Sequence, residues 1–247
     1  YSVRDHMQTA QDVKATFQIL KKIGYDEVQT AGCYGLPYEE FYTYAHEAGI
    51  EIIGTHDDFD MMKHDIDRSI ENHKLLKTTN MGIGGFPARS EEETVGFIAL
   101  ANQIARRIAQ EGMKFTYHNH SQEFIRFASG KTSMEYLMEG LDAENTSFVL
   151  DTYWVQHAGG DPVEWIQKLA GRIDIFHLKD MGARREADGR VVPYITEVGN
   201  GHLNFGRIIE AALAAGVKHF CVEQDTWECD SLLAVEKSSQ YLHKHFM

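Results

Sequence analysis

The chain is predicted to fold as an α/β protein, a (β/α)8 TIM barrel, on three observations. Short β-rich apolar segments alternate with longer amphipathic ones along the whole chain. The alternation repeats at roughly 30 residues per unit, and the 247-residue length suits the ~250 residues typical of this barrel. A doubly wound open sheet would carry a glycine-rich phosphate turn after an early strand. Here the Gly82-Ile83-Gly84-Gly85 run comes later and opens no nucleotide motif.

Taken in order, the expected helices are Gln11 to Ile23, Pro37 to Ala48, Met61 to Leu76, Glu91 to Glu111, Ser133 to Gly140, Pro162 to Ala170, Leu203 to Ala215 and Leu232 to Phe246. Asp161-Pro162 puts a capping side chain before a first-turn proline, and Ser90 precedes three glutamates suited to a helix N-terminus. Gly24, Gly49, Gly112, Gly171 and Gly216 stand at helix ends. The strands are Glu27 to Thr30, Glu51 to Thr55, Thr78 to Ile83, Lys114 to His118, Ser147 to Asp151, Ile173 to Leu178 and Val217 to Glu223, after a cut first strand at Tyr1 to Arg4. The chain, residues 1–247, reads as a single barrel domain.

Two connections exceed turn length, Asn119 to Thr132 and Lys179 to His202, and both follow strand C-termini, where this architecture builds its active sites. The second carries Arg184, Arg185, Glu186, Asp188, Gly189 and Arg190. It reads either as an excursion that closes over a ligand or as a mobile surface loop.

Composition narrows the function. Hydrophobic residues are 43% and charged residues 25%, those of a globular chain, which excludes disorder. The net charge of -13 should repel a polyanion, so nucleic acid is not expected as a partner. Cys33, Cys221 and Cys229 are too few for a disulfide framework and lack paired zinc-site spacing, as expected of a cytoplasmic protein. No apolar run is long enough for a membrane span.

The late strands run apolar and then stop on a side chain that can bind metal or move a proton. Ser147 to Leu150 stops on Asp151, Ile173 to Phe176 on His177, and His219 to Val222 on Glu223. Lys114 to Tyr117 runs into His118-Asn119-His120, with Glu123 three residues beyond. Barrel closure brings such ends around one axis. Buried carboxylates side by side are costly without a compensating cation, so a shared divalent ion is expected: Mn2+, Co2+, Zn2+ or Mg2+.

These and further segments carry a resemblance: YSVRD (Tyr1 to Asp5), IGYDEVQTAG (Ile23 to Gly32), YHNHSQEF (Tyr117 to Phe124), LDTYWVQHAGGDPVEWI (Leu150 to Ile166), FHLKDM (Phe176 to Met181), EVGNGHLNF (Glu197 to Phe205) and VEQDTW (Val222 to Trp227). Across essentially its whole length the chain resembles the sugar phosphate isomerase/epimerase group, whose fold is the xylose isomerase-like TIM barrel. Sugar epimerases, inosose dehydratase and endonuclease IV are members. The resemblance implies a Glu, Asp, His, Glu metal set whose last three ligands are Asp151, His177 and Glu223. Where many epimerases show a glutamate at the fifth strand end, this chain has His118, as one subgroup does. The resemblance thus implies Glu123 swinging back as the first ligand, with an imidazole as the alternative. It implies His120 as general base and His118 as substitute ligand or substrate contact. A homodimer is implied as well, in line with the frequency of symmetric dimers.

Other positions suit a sugar pocket. Trp154 and Trp227 can stack on a sugar face or fill a core. Lys179 shares the inward face of His177 and is expected to polarise a carbonyl, bind an anionic group, or pair with a neighbouring carboxylate. His56 and Arg4 end early strands. The leading expectation is a divalent-metal-dependent isomerase or epimerase acting on a keto-sugar through an enediolate. The alternatives are a keto-sugar lyase or dehydratase and a non-catalytic sugar-binding barrel. A DNA-repair reading is disfavoured by the acidic balance.

Overall fold

The computed structural model describes residues 1–246, so only Met247 of the expected domain lies outside it. Seven parallel strands form the wall: β1 (Glu27–Thr30), β2 (Glu51–Thr55), β3 (Asn80–Ile83), β4 (Lys114–His118), β5 (Thr146–Asp151), β6 (Ile173–Leu178) and β9 (His219–Val222). Their hydrogen-bonded order is β1-β2 and β3-β4-β5-β6-β9. Side chains join β2 to β3, since Asn80 Nδ2 donates to Ile53 O at 2.8 Å and Gly82 N–H to Thr55 Oγ1 at 3.3 Å. Every residue of β5 and β6 is buried, as strands covered on both faces require. Phe115, Phe148 and Phe176 are fully buried along the wall, each contributing about 1.5–3 kcal/mol.

The helices are α1 (Ala10–Lys22), α2 (Tyr38–Glu47), α3 (Phe59–His64), α4 (Ile66–Leu76), α5 (Glu91–Ala109), α6 (Ser133–Gly140), α7 (Thr152–His157), α8 (Pro162–Lys168), α9 (Phe205–Ala214) and α10 (Ser231–Phe246). α5 shows why they lie outside the wall: Phe97, Ile98, Ala101, Ile104, Ala105 and Ile108 form one buried stripe. Among the described residues, no helix is long and apolar enough to cross a membrane.

Four expectations are corrected. The first strand is absent: Arg4–His6 forms a 3-10 turn, with Arg4 N–H bonded to Tyr1 O and His6 N–H to Val3 O, so no ladder forms. The expected helix from Met61 to Leu76 breaks at Asp65. That residue leaves helical geometry (φ -148, ψ 66) because its side chain accepts from Arg68 N–H and starts α4 afresh. α7 was not anticipated, because Asp151 ends a strand and caps a helix at once, accepting from Trp154 N–H at 3.0 Å.

The Lys179 to His202 connection is an ordered antiparallel hairpin, β7 (Asp180–Arg185) with β8 (Val191–Thr196). Asp180 roots it. This fully buried carboxylate accepts from the N–H groups of Met181, Gly199, Gly201 and Leu203 at 2.8–3.1 Å. A Cβ at Gly201 would lie 2.4 Å from Asp180 Oδ1, so this approach needs glycine.

Gly82 is the tightest point of the wall. An added Cβ would meet Thr116 Oγ1 at 2.3 Å and Thr55 O, a backbone atom, at 2.4 Å. Gly82→Ala is therefore expected to cost at least the about 1–3 kcal/mol typical of overpacking, read as a lower urea-unfolding midpoint. An unchanged midpoint would contradict this packing.

Candidate metal centre and substrate pocket

Parallel strands place their C-terminal side chains at one end of the wall, and the site begins there. Ligand atoms of His118 (β4), Asp151 (β5), His177 (β6) and Glu223 (just after β9) all lie within 4.8 Å of one another. His118 Nε2 is 3.4 Å, and His177 Nδ1 3.6 Å, from Asp151 Oδ2. His177 Nδ1 and Glu223 Oε2 are in direct contact. His177 uses its other nitrogen on Gln29, with Nε2 2.6 Å from Oε1, which leaves Nδ1 turned into the cluster. Asn119 Oδ1 accepts from Asp151 N–H at 2.9 Å and steadies the carboxylate's backbone.

The electrostatics follow from burial against nearby charge. Burial acts to raise the Asp151 pKa, but Lys179 and the bonds to His118 and His177 outweigh it and hold the group ionised. Glu223 is likewise held well below the usual range, burial being overcome by His177 and Lys179. Burial acts to lower His177, yet Glu223 and Asp151 push it up to about 9. His118 is lowered, chiefly by burial.

The donor set fits a divalent cation. Two imidazole nitrogens and two ionised carboxylates converge, and His177 Nδ1 and Glu223 Oε2 have no hydrogen-bond partner in good geometry. Such orphaned buried atoms are costly unless an ion or proton compensates them. Mixed imidazole and carboxylate donors suit Mn2+, Co2+ or Zn2+ better than Mg2+, which favours all-oxygen octahedra.

Glu123 stands outside this cluster, contrary to the expectation that it swings back as a ligand. It sits in the 3-10 turn Gln122–Phe124, buried, with Oε1 accepting from the Tyr117 hydroxyl and Oε2 from His120 N–H, both at 2.8 Å. The fourth residue of the cluster is His118.

Lys179 is fully buried, its Nζ 2.8 Å from Asp151 Oδ2 and 3.0 Å from Asp225 Oδ2. Burial acts to lower its pKa, but Asp151, Glu223 and Asp225 drive it upward, so it is a fixed ammonium. Of the pocket roles expected for it, the carboxylate pairing is the one seen.

His120 and Trp154 face a cavity of about 430 Å3 together with Gly84, Gly85, Pro87, Ser121 and Gln122. Their rings lie 5.3 Å apart, and Lys179 Nζ is 5.2 Å from the Trp154 ring. His120 Nδ1 is buried without a partner. Burial first, then His118 and Lys179, push the ring down to about 4, so it is neutral near pH 7.

The remaining expected contacts are spread differently. His56 packs among the imidazoles, 4.9 Å from His118 and 5.7 Å from His177. Arg4 and Trp227 form a separate group, with the guanidinium 4.6 Å from the Trp227 ring and bonded to Asp225 O at 2.8 Å. Gln29, Tyr117, Asn119 and Asp225 escaped the sequence reading. Asp225 had a usable signal, two residues beyond Glu223, whereas Gln29 reaches His177 from a strand far away in sequence.

Comparison with known proteins agrees with this architecture. Inosose dehydratase from Geobacillus thermodenitrificans is 28% identical over 173 residues, 64% of this chain and 56% of that protein. The counterpart from Geobacillus kaustophilus is 37% identical over 78 residues, 31% of this chain and 24% of that protein. The matches thus span from a quarter to little over half the length of these relatives. Among solved structures, a sugar phosphate isomerase/epimerase from Parabacteroides distasonis superimposes with a TM-score of 0.83 at 22% identity, covering 100% of this chain and 92% of that one. The probable 3-DHS dehydratase AsbF from Bacillus anthracis gives 0.73 at 16% identity, covering 94% and 93%. At such identities these two likenesses speak for the fold. A family model matches residues 17–245, the whole wall and all four converging donors, and so the chain belongs to the xylose isomerase-like TIM barrel family.

Proposed function

We propose that this protein is a divalent-metal-dependent enzyme that removes a proton beside the carbonyl of a keto-sugar or keto-cyclitol and then expels a β-substituent. The observation that carries this reading is the four-donor cluster beside a neutral, unpartnered imidazole that opens on a cavity. His118, Asp151, His177 and Glu223 would hold the cation. Bound there, it supplies fixed positive charge that polarises a carbonyl and stabilises the enediolate charge.

The chain's own groups do the rest. His120, neutral and open to the cavity, takes the C–H proton as general base. As the enediolate collapses, the C–O bond to the β-substituent breaks and its electron pair leaves with that oxygen. The imidazolium of His120 returns its proton there, so water or an alcohol departs and an enone remains. Trp154 offers an apolar face to the sugar ring on the same wall as His120. Lys179 favours the ionised form of Asp151 and holds both Asp151 and Asp225 in place.

Elimination is favoured over epimerisation because two-base epimerisation needs a proton-transfer group on each substrate face. Here Asp151 and Glu223 belong to the four-donor cluster, Asp225 pairs with Lys179, and Glu123 is bonded to Tyr117 and His120. The relatives named inosose dehydratase point the same way.

The test is incubation of the Mn2+-loaded protein with an inosose and with a keto-glycoside in D2O. An enone with released water or aglycone is expected, and His120→Gln should lower its rate by the about 10^2–10^4-fold typical of a lost general base. Deuterium incorporation with the substrate otherwise intact would replace this reading by an isomerase or epimerase. Neither product nor exchange would leave a binding protein.

A further inference from the structure

We infer that the buried Tyr117–Glu123 pair is the positioning device for His120 and for the cavity wall facing it. The inference deepens the proposed function, since it rests on His120 being the base. Tyr117 and Glu123 are at most 1% exposed. The Tyr117 hydroxyl accepts from Phe86 N–H at 2.9 Å and donates to Glu123 Oε1 at 2.8 Å. Glu123 Oε2 accepts from His120 N–H at 2.8 Å. One carboxylate and one phenol thus tie together β4, the loop after β3 and the loop after β4, the last two of which line the cavity.

Donor arithmetic explains why a carboxylate stands here. Tyr117, His120 and the Gln122 amide all present donors to Glu123. An amide in its place would turn an N–H2 toward an N–H or O–H. Burial raises the Glu123 pKa against the opposing bonds from Tyr117 and His120, and a carboxyl group buried among neutral donors is costly without a specific task.

Gly85 sets the approach to the His120 ring. Its φ of +116 suits glycine, and an added Cβ would sit 3.1 Å from His120 Nδ1 and 3.2 Å from His118 O. The ring is therefore located by a bond at its own backbone and by a bare glycine surface in front of it. Neither constraint uses a ligand atom of the four-donor cluster.

The test uses full-length protein with 15N-labelled histidine, loaded with Zn2+, comparing wild type, Glu123→Gln and Tyr117→Phe. His120 ring cross-peaks are identified by their loss in His120→Gln. Glu123→Gln is expected to retain about one cation per chain while the His120 cross-peaks shift or broaden and those of His56 and His177 stay in place. On the substrate turned over by the wild type, kcat should fall about 10^2-fold, the scale of a 1 Å misplacement, with KM little changed. Loss of the cation in Glu123→Gln would overturn the inference by making Glu123 a ligand. Unmoved His120 cross-peaks would overturn it by making the pair a passive contact. Should Glu123→Gln fail to fold, Tyr117→Phe, which keeps the carboxylate, carries the same two readouts. A wild type that takes up no cation would sink the proposed function, while the His120 cross-peaks would still decide the role of the pair.

Discussion

Asp151→Asn is expected to strip the cation from the protein while leaving the fold in place. Purified wild type should carry about one divalent metal per chain, and the variant essentially none. Asparagine is the informative substitution because Asp151 has two tasks. Its Oδ1 caps α7 by accepting from Trp154 N–H, and an asparagine oxygen can still do so. Its Oδ2 faces His118, His177 and Lys179, and there the negative charge is lost. Asp151→Ala removes both functions and should be about 1 kcal/mol less stable than Asp151→Asn through the missing cap. Activity should fall by more than the roughly 10–100-fold that supporting partners of a metal site cost. Glu223→Gln should behave in parallel. Elemental analysis is the measurement, and full metal in both the Asp151 and Glu223 variants would refute the assigned centre.

Lys179→Met should be the most destabilising change near the site. It buries a thioether where an ammonium lies 2.8 Å from Asp151 and 3.0 Å from Asp225, leaving two carboxylates without their counter-charge. Removing one partner of a buried ion pair costs about 3–5 kcal/mol, because the remaining charge stays in a poorly solvated place. The sign of a second effect distinguishes this account from simple loss of packing. A divalent cation in the cluster compensates Asp151, one of those two carboxylates, so saturating Mn2+ should restore more stability to Lys179→Met than it adds to wild type. Urea unfolding with Mn2+ and with a chelator measures both terms. Equal Mn2+ effects on the two proteins would separate Lys179 from the metal centre.

The fold was legible where short-range rules decide it. β1, β2, β4 and β6 follow their apolar runs to the residue, and Ser133–Gly140 is helical as read. Reading failed where one side chain overrode the local pattern. Asp65 splits a continuous amphipathic stretch, Asp151 hides α7 behind a strand end, and Asp180 turns a charged loop into the root of a hairpin. In each case an aspartate captures backbone N–H groups, and only in the folded chain is it plain which ones.

The candidate site divides along the same line. The convergence of Asp151, His177 and Glu223 was legible because alternation along a strand and the direction of a parallel wall are local and topological facts. Those place strand-end side chains at one mouth whatever the details. Which of Glu123 and His118 joins the cluster was not open to that reasoning. It depends on a single 3-10 turn that carries Glu123 back to the Tyr117 hydroxyl and His120 N–H, and on the inward path of β4 that leaves His118 in the cluster. Lys179 was found from its position, but its task emerged from two aspartates brought to it through space. The amino-acid sequence by itself determined which chemical groups reach the mouth of the barrel. Tertiary structure alone decided which of them face one another, because hydrogen bonds and ion pairs are satisfied by proximity in the fold, without regard to distance along the chain.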